Sequence, residues 1–471
     1  MKPISRRLLA DAVRLADGLA VLAASAIAFY VYVAGVLDAE EQAALYFAAA
    51  TISALGYLAI AQALQAYRYD RLSNVIYMTQ RALVALSVMA IGWLLVGFIT
   101  KTTEFWSRGW TLLWLVLSTV LIIAVRLGVA VVVARWRRQR RWQDRIVIVG
   151  ATEMADELIK DIRQHGGADA EIVGVFDERG GNRRPSLADL PFIGNVEALI
   201  EYTREHRVDS IVLALPWSSE ERIIKLSEKL SVLPVDINVA FATRMLHRHF
   251  TSAVGAYGVP LMQIGRRPLT DRQVLMKRIE DLVLTCAITF VLSPIMLIVA
   301  LLIRMESSGP ILFRQPRNGF NDTIITVYKF RTMYVERSDP SGVKRTEPGD
   351  PRVTPLGRTL RRWSLDELPQ LFNVLKGDMS VVGPRPHPVG MLAATADYRQ
   401  VVSNYAARHR MKPGITGWAQ VAGYRGTADT VEKAQRRVEF DLEYIAHWSL
   451  LFDLRILMLT AIAMISGKEA Y

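Results

Sequence analysis

The sequence predicts a chain of three parts. These are a bundle of membrane-spanning helices, a doubly wound α/β domain, and a C-terminal α/β domain that carries a re-entrant membrane helix. The 471 residues are enough for about three domains. Hydrophobic residues make up 51% of the chain, and 57 Lys and Arg against 45 Asp and Glu give a net charge of +12. Long apolar runs dominate the first third, and short β-rich runs follow them.

The composition excludes several classes of protein. With 51% hydrophobic and 22% charged residues, the chain is neither disordered nor collagen-like. The single cysteine, Cys286, excludes an internal disulfide framework and a zinc site built from cysteines. Because it lies in an apolar run, we expect a buried, inert thiol. A basic and apolar chain is typical of a membrane protein with a cytoplasmic face, or of a protein that binds anions.

Residues 1–141 are predicted to form a four-helix transmembrane domain. Four uncharged apolar runs each approach the roughly 20 residues needed to cross about 30 Å of hydrocarbon. These runs are 18–37, 43–64, 82–100 and 109–125. Basic residues precede the first run, and an arginine-rich stretch over 135–141 follows the fourth, which indicates topology better than a nucleic-acid patch. Both ends of the bundle should therefore face the cytoplasm.

Residues 142–265 are predicted to form a Rossmann-like domain, because short β-rich runs alternate there with helical patterns. The first run ends at Gly150, as in dinucleotide-binding turns. However, the second and third glycines, which let the backbone approach a pyrophosphate, are missing. Asp177 after the second run is either a ribose-binding acid or a turn acid. We expect a domain that does not use NAD and is structural or regulatory.

The third part, 266–471, begins with a fifth uncharged apolar run over 282–303, which has basic residues at both ends. Ser293 and Pro294 lie in its middle. Proline removes one helical hydrogen bond, and the serine hydroxyl can satisfy the freed carbonyl. The run is either a kinked fifth span or a helix over about 279–304 that breaks at the proline and returns to its entry face. We predict the helix that returns to its entry face, because the residues after it carry a candidate site whose substrate is expected in the cytoplasm.

Basic residues surround one acidic pair, Asp366 and Glu367, in this third part. The candidate phosphate-binding residues are Lys329, Arg331, Arg361 and Arg385. Guanidinium groups bind phosphate oxygens bidentately, so the pattern indicates a polyanionic substrate such as a diphosphate. For any single basic residue, an ordinary solvated charge or a lipid-headgroup contact is the alternative.

The residues around the acidic pair predict the start of a helix. Ser364 and Glu367 have the spacing of a capping box, and Pro369 fits a first turn if Asp366 is the N-cap. A helix N-terminus keeps a carboxylate ionised and helps hold a phosphate. One carboxylate can attack phosphorus to give an acyl phosphate, and its neighbour can hold Mg²⁺.

The region from about 272 to 471 resembles the bacterial sugar transferase family of phosphoglycosyl transferases, and several ordered motifs carry the resemblance. They are KR at 277–278, SP at 293–294, GPILFRQ at 309–315, KFRTM at 329–333, DPRVT at 350–354, SLDELPQ at 364–370, NVLKGDMSVVGPRP at 373–386, PGITGWAQ at 413–420 and WSL at 448–450. The whole chain resembles the long form, in which four membrane helices and a Rossmann-like domain precede the catalytic domain.

The resemblance implies a monotopic phosphoglycosyl transferase domain on the cytoplasmic face of the bacterial inner membrane. It implies transfer of a hexose 1-phosphate, with glucose expected, from a UDP-sugar to undecaprenyl phosphate. The products are UMP and a lipid diphosphate sugar, at the first membrane step of exopolysaccharide or capsule biosynthesis. By carry-over, Asp366 is the nucleophile of a ping-pong scheme, Glu367 is a ligand of Mg²⁺, and the four basic residues contact phosphates. His387 and His409 lack metal-ligand spacing and are expected to be structural.

The expected partners are the UDP-sugar, undecaprenyl phosphate and membrane lipids, with no nucleic acid. A homo-oligomer and contacts with other polysaccharide assembly proteins stay open. UDP-galactose or an N-acetylated sugar is the alternative donor. An NAD-dependent oxidoreductase or epimerase is a second alternative, against which the missing glycines argue. The third is a non-catalytic membrane scaffold, which gives no reason for an acidic pair among the arginines.

Overall fold

A computed structural model gives the fold of most of the chain, which forms two compact units, Met1–Gln143 and Asp144–Tyr471. The residues that it describes are 5–68, 72, 74–101, 106–139, 142–165, 170–178, 186–187, 190–240, 257, 259–337, 349–390, 392–393, 396–424, 426 and 430–466.

The first unit consists of long apolar helices. They are α1 (Arg6–Ala28, continued by a π-helical turn over Phe29–Ala34), α2 (Ala43–Ala63), α3 (Val75–Thr100) and α4 (Arg108–Arg138). Ser5, Asn74 and Ser107 cap three of them by accepting an amide hydrogen bond. All four are long and apolar enough to cross a membrane, which confirms the predicted N-terminal apolar helices. Arg140 and Arg141 of the basic stretch lie outside the described residues.

One ion pair is buried inside this bundle. Arg126 of α4 donates to both carboxylate oxygens of Asp17 of α1, at 3.0 and 2.7 Å. The hydroxyls of Tyr57 and Tyr67 donate to the same carboxylate, at 3.1 and 2.9 Å. The Asp17 charge is therefore matched by one cation and two further donors. This ion pair joins α1 to α4. The apolar pattern of the sequence did not indicate a charged contact between these two helices.

The second unit begins with a seven-stranded sheet of order β3-β4-β2-β1-β5-β6-β7. The strands are β1 (Asp144–Val149), β2 (Ala170–Phe176), β3 (Ser186–Leu187), β4 (Leu190–Gly194), β5 (Ser210–Leu213), β6 (Asp236–Ala240) and β7 (Leu261–Gly265). The central strands are parallel, and β3 and β7 pair antiparallel at the two edges.

Helices cover both faces of this sheet. They are α5 (Glu153–His165), α6 (Val196–Glu205) and α7 (Glu220–Leu230). Along β1, Ile146 and Ile148 pack in the cluster that contains α5, whereas Val147 and Val149 pack in the cluster that contains α6 and α7. This strand is buried on both faces, which explains its continuous apolar run. The predicted parallel-sheet α/β domain is confirmed.

The turn after β1 bonds to the end of β2. Gly150 has φ +112°, and a Cβ there would lie 2.8 Å from the Ala214 carbonyl oxygen, so only glycine fits. The next amide, of Ala151, donates to the Asp177 carboxylate at 2.7 Å, and Arg222 donates to that carboxylate at 3.0 Å. Amides at this turn are those that dinucleotide-binding domains offer to a pyrophosphate. Of its two predicted roles, Asp177 therefore makes the contacts of a turn acid.

The rest of the second unit is the C-terminal domain, built from one long helix, short strands and shorter helices. The helices are α8 (Asp271–Glu306), α9 (Pro355–Arg362), α10 (Gln370–Lys376), α11 (Tyr398–Val401), α12 (Trp418–Val421), α13 (Val431–Ala446) and α14 (Leu450–Ser466). The strands are β8 (Leu312–Asn318), β9 (Ile324–Phe330), β10 (Ser380–Val382), β11 (Leu392–Ala393), β12 (Ala396–Asp397) and β13 (Gly414–Thr416). Strands β8 and β9 form an antiparallel hairpin, and β10 pairs parallel with β13.

Helix α8 is continuous for 36 residues, so the predicted break at Pro294 does not occur. Ser293, the residue before the proline, explains why the helix continues. The Ser293 hydroxyl donates at 2.9 Å to the carbonyl of Phe290, which is the carbonyl that loses its partner because proline has no N–H. The expected role of the serine is thus confirmed. The expectation of a buried thiol at Cys286 is wrong, because this side chain lies on the exposed apolar surface of the helix.

Candidate active site

The acidic pair lies between two helices of the C-terminal domain. Asp366 and Glu367 belong to a 3₁₀ turn, Leu365–Glu367, which follows α9 and precedes α10. The predicted capping box is wrong, because Ser364 has left-handed backbone angles (φ 54°) and makes no side-chain cap, and α10 begins only after Pro369. The carboxylates are therefore presented by a tight turn ahead of the helix.

Two cations hold Glu367. The Lys329 ammonium on β9 donates to Oε1 at 2.8 Å, and Arg385 donates to Oε1 at 2.6 Å and to Oε2 at 3.3 Å. The Glu367 side chain is only 12% exposed. Burial alone would raise the pKa of Glu367, but Arg385 and Lys329 outweigh it and hold that pKa well below its usual range. Glu367 is thus an ionised carboxylate at neutral pH.

Asp366 has a different environment from that of its neighbour. Its closest cation is again Lys329, at 4.0 Å, and within the described residues no hydrogen bond to its carboxylate is present. Burial and the charge of Glu367 raise the pKa of Asp366, while Lys329 and Arg361 oppose the rise. One carboxylate of the pair is therefore held by cations, and the other keeps its oxygens available for a substrate.

The segment that carries Arg385 is fixed by the β10–β13 pair. The Gly383 amide donates to the Thr416 carbonyl at 2.9 Å, and the Gly414 amide donates to the Pro384 carbonyl at 3.0 Å. A Cβ at Gly383 would lie 2.6 Å from the Lys412 carbonyl oxygen, so a side chain does not fit there. Glycine at this close approach, followed by proline, explains the rigid presentation of the arginine.

A further cation near the pair, Arg317 on β8, was not among the predicted residues. Burial and the neighbouring Arg385 lower the pKa of Arg317 to about 10, with Glu367 and Asp366 opposing. Its guanidinium donates to the Pro386 carbonyl at 2.7 Å and to the Gln315 side chain at 2.8 Å. The sequence signal for Arg317 is its spacing from Gln315. Polar residues two positions apart in a strand share one face, so both side chains could have been placed together.

The structure brings Arg361 near the pair but not Arg331. Arg361, in the last turn of α9, donates to the Thr332 hydroxyl at 2.9 Å, and its charge helps lower the pKa of Asp366. Arg331 instead donates to the carbonyls of Ser308 at 2.8 Å and Ser307 at 2.7 Å, which follow the end of α8. The guanidinium of Arg331 thus caps the membrane helix and does not face the carboxylates.

Two buried histidines lie behind the Arg385 segment. The His387 Nδ1 is 3.0 Å from the Tyr405 hydroxyl and 2.8 Å from Arg408 Nη1. Burial and Arg408 hold the pKa of His387 well below its usual range, and the same two causes lower the pKa of His409 to about 3. Both imidazoles are neutral at pH 7 and contact protein groups, in keeping with the structural role predicted for them.

The donor set of the pair fits one class of metal ion. Across the part of the chain that the structure describes, His, Cys, Asp and Glu form no group of three or more that could hold a metal ion. Two adjacent carboxylates, Asp366 and Glu367, are what Mg²⁺ requires of a protein when substrate phosphates and waters supply its remaining oxygen ligands. The site therefore fits Mg²⁺ brought together with a phosphorylated substrate and does not fit a zinc cage.

Comparison with known families and proteins accounts for both domains of the second unit. Residues 272–467 match the family model described as bacterial sugar transferase, and residues 62–240 match one described as a CoA-binding domain. The latter match begins within the membrane bundle and ends with β6.

Curated relatives extend over most of the chain. The UDP-glucose:undecaprenyl-phosphate glucose-1-phosphate transferase of Escherichia coli (strain K12) is 37% identical over 364 residues, which are 76% of this chain and 76% of that protein. The enzyme of the same description from Xanthomonas campestris pv. campestris is 34% identical over 388 residues, 80% of this chain and 78% of the relative. The exopolysaccharide production protein PSS of Rhizobium leguminosarum bv. phaseoli is 46% identical over 198 residues, 42% of this chain but 99% of the relative.

Proposed function

The chain belongs to the bacterial sugar transferase family, and we propose that it transfers glucose 1-phosphate from UDP-glucose to undecaprenyl phosphate. The products are UMP and undecaprenyl diphosphate glucose, and the reaction starts exopolysaccharide assembly at the membrane. The observation that carries the proposal is the asymmetry of the acidic pair. Glu367 is ion-paired with Lys329 and Arg385, whereas Asp366 beside it makes no hydrogen bond within the described residues.

In the first step, an Asp366 oxygen attacks the phosphorus bonded to the sugar. A bond forms between that oxygen and phosphorus, the bond from phosphorus to the bridging oxygen breaks, and UMP leaves with the electron pair. The raised pKa of Asp366 makes its carboxylate more basic than an ordinary aspartate. Lys329, Arg385 and Arg317 lie where they can neutralise the charge that develops on the phosphoryl oxygens.

In the second step, a phosphate oxygen of undecaprenyl phosphate attacks the same phosphorus. The aspartyl–phosphorus bond breaks, which restores the Asp366 carboxylate and gives the lipid diphosphate sugar. Each step is a displacement at one phosphorus, so the same cations serve both. This is the ping-pong scheme that the family resemblance implies, and Arg361 is retained in it as a cation near Asp366.

We propose Mg²⁺ as the metal of this reaction, with Glu367 as its protein ligand and Asp366 next to it. Oε1 of Glu367 already accepts from Lys329 and Arg385, whereas Oε2 accepts one long bond from Arg385 and has an acceptor position left for a metal ion. When bound, the ion neutralises negative charge on the diphosphate. Lys329 and Arg385 fix the Glu367 carboxylate in place before substrate arrives.

The proposed location is the cytoplasmic face of the bacterial inner membrane, with α8 as a continuous helix whose middle stretch enters one leaflet and whose two ends stay on the cytoplasmic side. Both ends of α8 bond to the same domain. Near its start, Arg278 donates to the Val374 and Leu375 carbonyls at 2.6 and 2.8 Å, and near its end the Ile303 carbonyl accepts from Arg331 at 3.4 Å. A crossing helix would place its two ends in opposite compartments.

The length of α8 that is free of the domain supports the same proposal. Thr285 and Met296 are buried, and the stretch 286–295 between them carries exposed apolar side chains such as Phe290, 83% exposed. Ten helical residues rise about 15 Å, half of the roughly 30 Å of hydrocarbon. Pro294 in this stretch allows the helix to bend. An anchor of this length reaches into one leaflet and holds the active site at the level of the acceptor phosphate.

The proposed domain organisation keeps the predicted boundaries. Residues 1–141 form the transmembrane domain, 142–265 the Rossmann-like domain and 266–471 the catalytic domain. The bacterial sugar transferase family model, which matches residues 272–467, supports the last boundary. Four crossing helices leave the two later domains in the same compartment as the N-terminus, which we propose is the cytoplasm.

The reaction is tested with purified protein in lipid nanodiscs, undecaprenyl phosphate, Mg²⁺ and one UDP-sugar at a time. We expect UMP release with UDP-glucose to exceed that with UDP-galactose and UDP-N-acetylglucosamine. A preference for another UDP-sugar would replace glucose and leave the reaction class intact. Absence of UMP release with every UDP-sugar would contradict the proposed function.

A further inference from the structure

Two arginines from two domains bond to the loop between β8 and β9, and a histidine lies next to it. Asp322 in this loop accepts a hydrogen bond at 2.9 Å from Arg204, in the last turn of α6, and another at 2.9 Å from Arg399 of α11. The His409 Nδ1 lies 3.2 Å from its other oxygen. The Asp322 side chain is only 9% exposed. Arg204 comes from the Rossmann-like domain, and the other two partners come from the transferase domain.

A second bond joins the same loop to α6. The Asn321 side-chain amide donates to the Thr203 carbonyl at 2.8 Å. Asn321 and Asp322 both have left-handed backbone angles, with φ of 52° and 58°. Among residues other than glycine, Asn and Asp tolerate this region best, but it still costs free energy. Contacts from α6 therefore help maintain a loop conformation that the chain alone would not favour.

The strand that enters this loop also holds the segment 383–387, which carries Arg385 and is called the Arg385 loop below. The last two residues of β8 make the contacts. Arg317 donates to the Pro386 carbonyl at 2.7 Å, and the Asn318 amide donates to the His387 carbonyl at 3.1 Å. A shift of the β8–β9 loop would therefore move the groups that fix the backbone beside Arg385.

A second route leads from Asp322 to the same loop. The His409 ring contacts the Tyr405 ring edge-on, with centroids 5.4 Å apart, and the Tyr405 hydroxyl is 3.0 Å from His387. Arg408, the residue before His409, donates to the Arg385 carbonyl at 2.8 Å. Both routes from Asp322 thus end on the Arg385 loop, and Arg385 itself donates to Glu367 of the acidic pair.

We propose that Asp322 is a positioning residue through which the Rossmann-like domain holds the Arg385 loop in the geometry that the transfer reaction needs. The inference rests on the proposed transferase function and gives the middle domain a role in it. Asp322 touches no substrate. It acts through the end of β8 and through His409, and its bond to Arg204 carries the contribution of the middle domain.

The first test replaces Arg204 by Gln, which removes the cation of α6 and leaves Asp322 its two partners in the transferase domain. We expect kcat/KM for UDP-glucose to fall about tenfold with an unchanged unfolding temperature, since small misplacements of charged groups cost up to about 10²-fold. Arg204→Lys should restore most of the rate. The matched control is Glu201→Gln, which removes the other partner of Arg204, an exposed carboxylate 2.6 Å away, and should keep the wild-type rate.

The second test is a double-mutant cycle between Arg204→Gln and Arg385→Lys. If the two positions are coupled, the double variant loses at least two- to threefold less activity than the product of the single losses, whereas Glu201→Gln with Arg385→Lys is additive. Hydrogen exchange at 383–387 should also rise in Arg204→Gln and not in Glu201→Gln. If the activity losses are additive and hydrogen exchange at 383–387 is unchanged, the inference is wrong. The proposed transferase function would still stand in that case, provided that the wild-type protein is active. An inactive wild type would defeat the proposed function itself.

Discussion

Two buried carboxylates in this molecule have opposite surroundings. Asp17 in the membrane bundle accepts four hydrogen bonds, two from Arg126 and one each from Tyr57 and Tyr67. Asp366 in the transferase domain has Lys329 at 4.0 Å and, within the described residues, no hydrogen bond. Both are acids removed from water, yet only the first is provided with donors by its own chain.

We interpret the difference as that between a structural acid and the proposed nucleophile. Around Asp17, one cation and two neutral donors match one charge, so the protein itself satisfies this carboxylate. Around Asp366 and Glu367, four cations face two carboxylates, so the site carries an excess of positive charge before any substrate binds. A diphosphate supplies the missing negative charge. The predictions that follow test this comparison.

The largest effect is expected for Asp366→Asn. The amide has the size of the carboxylate but cannot attack phosphorus, so UMP release should fall by about three orders of magnitude or more, as for other catalytic nucleophiles. Ion pairs of Glu367 with Lys329 and Arg385 remain, so the protein should unfold at the wild-type temperature. The control Glu439→Gln, at an exposed carboxylate that pairs with Arg436, should keep full activity. UMP release at the normal rate from the Asn variant would remove Asp366 from the reaction.

The next effect concerns stability and not chemistry. Asp17→Ala leaves the Arg126 guanidinium buried without its counterion, which should cost about 3–5 kcal/mol of unfolding free energy. The double variant Asp17→Ala/Arg126→Leu replaces the pair by apolar groups and should recover most of the loss. Denaturant unfolding in nanodiscs measures both. Asp17 would count as a functional acid if the Ala variant kept its stability and lost its activity.

A smaller loss of stability is expected for Arg331→Gln. This change removes charged hydrogen bonds to the Ser307 and Ser308 carbonyls, worth about 1.5–3 kcal/mol in total. The exposed Arg362 provides the control, and Arg362→Gln should change the unfolding free energy by less than about 0.5 kcal/mol. Activity per folded molecule should stay close to wild type. A selective rise in KM for UDP-glucose at wild-type stability would instead support the phosphate contact that the sequence predicts for Arg331.

The smallest effect is a shift in pH dependence. Lys329 lowers the pKa of Asp366, so Lys329→Met should raise that pKa further. The nucleophile must be ionised, and activity is lost as the pH falls through its pKa. The variant should therefore be slower, and its remaining activity should disappear at a higher pH than that of the wild type. Lys376→Met, at a lysine that contacts the Tyr328 ring instead, should leave the acid limb in place. If activity in Lys329→Met is lost at the same acidic pH as in the wild type, Lys329 does not lower the pKa of the nucleophile.

The sequence predicts most of the fold because its strongest signals are local. The apolar runs at the start of the chain mark α1 to α4, and the continuous apolar run before Gly150 marks a strand buried on both faces. The ordered motifs point to Asp366 and Glu367 directly. These features depend on hydrophobic periodicity and on neighbouring residues, which one chain displays without its tertiary structure.

Features that depend on distant partners could not be predicted in this way. Asp17 and Arg126 are 109 positions apart, and nothing in either span shows that one carries the counterion of the other. The residues after Arg362 read as a capping box, but left-handed angles at Ser364 put the carboxylates in a turn. Arg331 shares a motif with Lys329, yet it donates to the Ser307 carbonyl, 24 positions earlier in sequence, just after the end of α8. For Arg126 and Arg331, a contact with a residue distant in sequence determines the role of the side chain.

The central claim is that Asp366 forms a covalent phosphosugar intermediate. In the most direct measurement, the protein is incubated with UDP-glucose and Mg²⁺ in nanodiscs free of undecaprenyl phosphate. Its peptide masses are then determined by mass spectrometry. We expect stoichiometric UMP release and a mass increase of one hexose phosphate on Asp366, which disappears when undecaprenyl phosphate is added. UMP release only in the presence of undecaprenyl phosphate, with unmodified Asp366, would contradict the account.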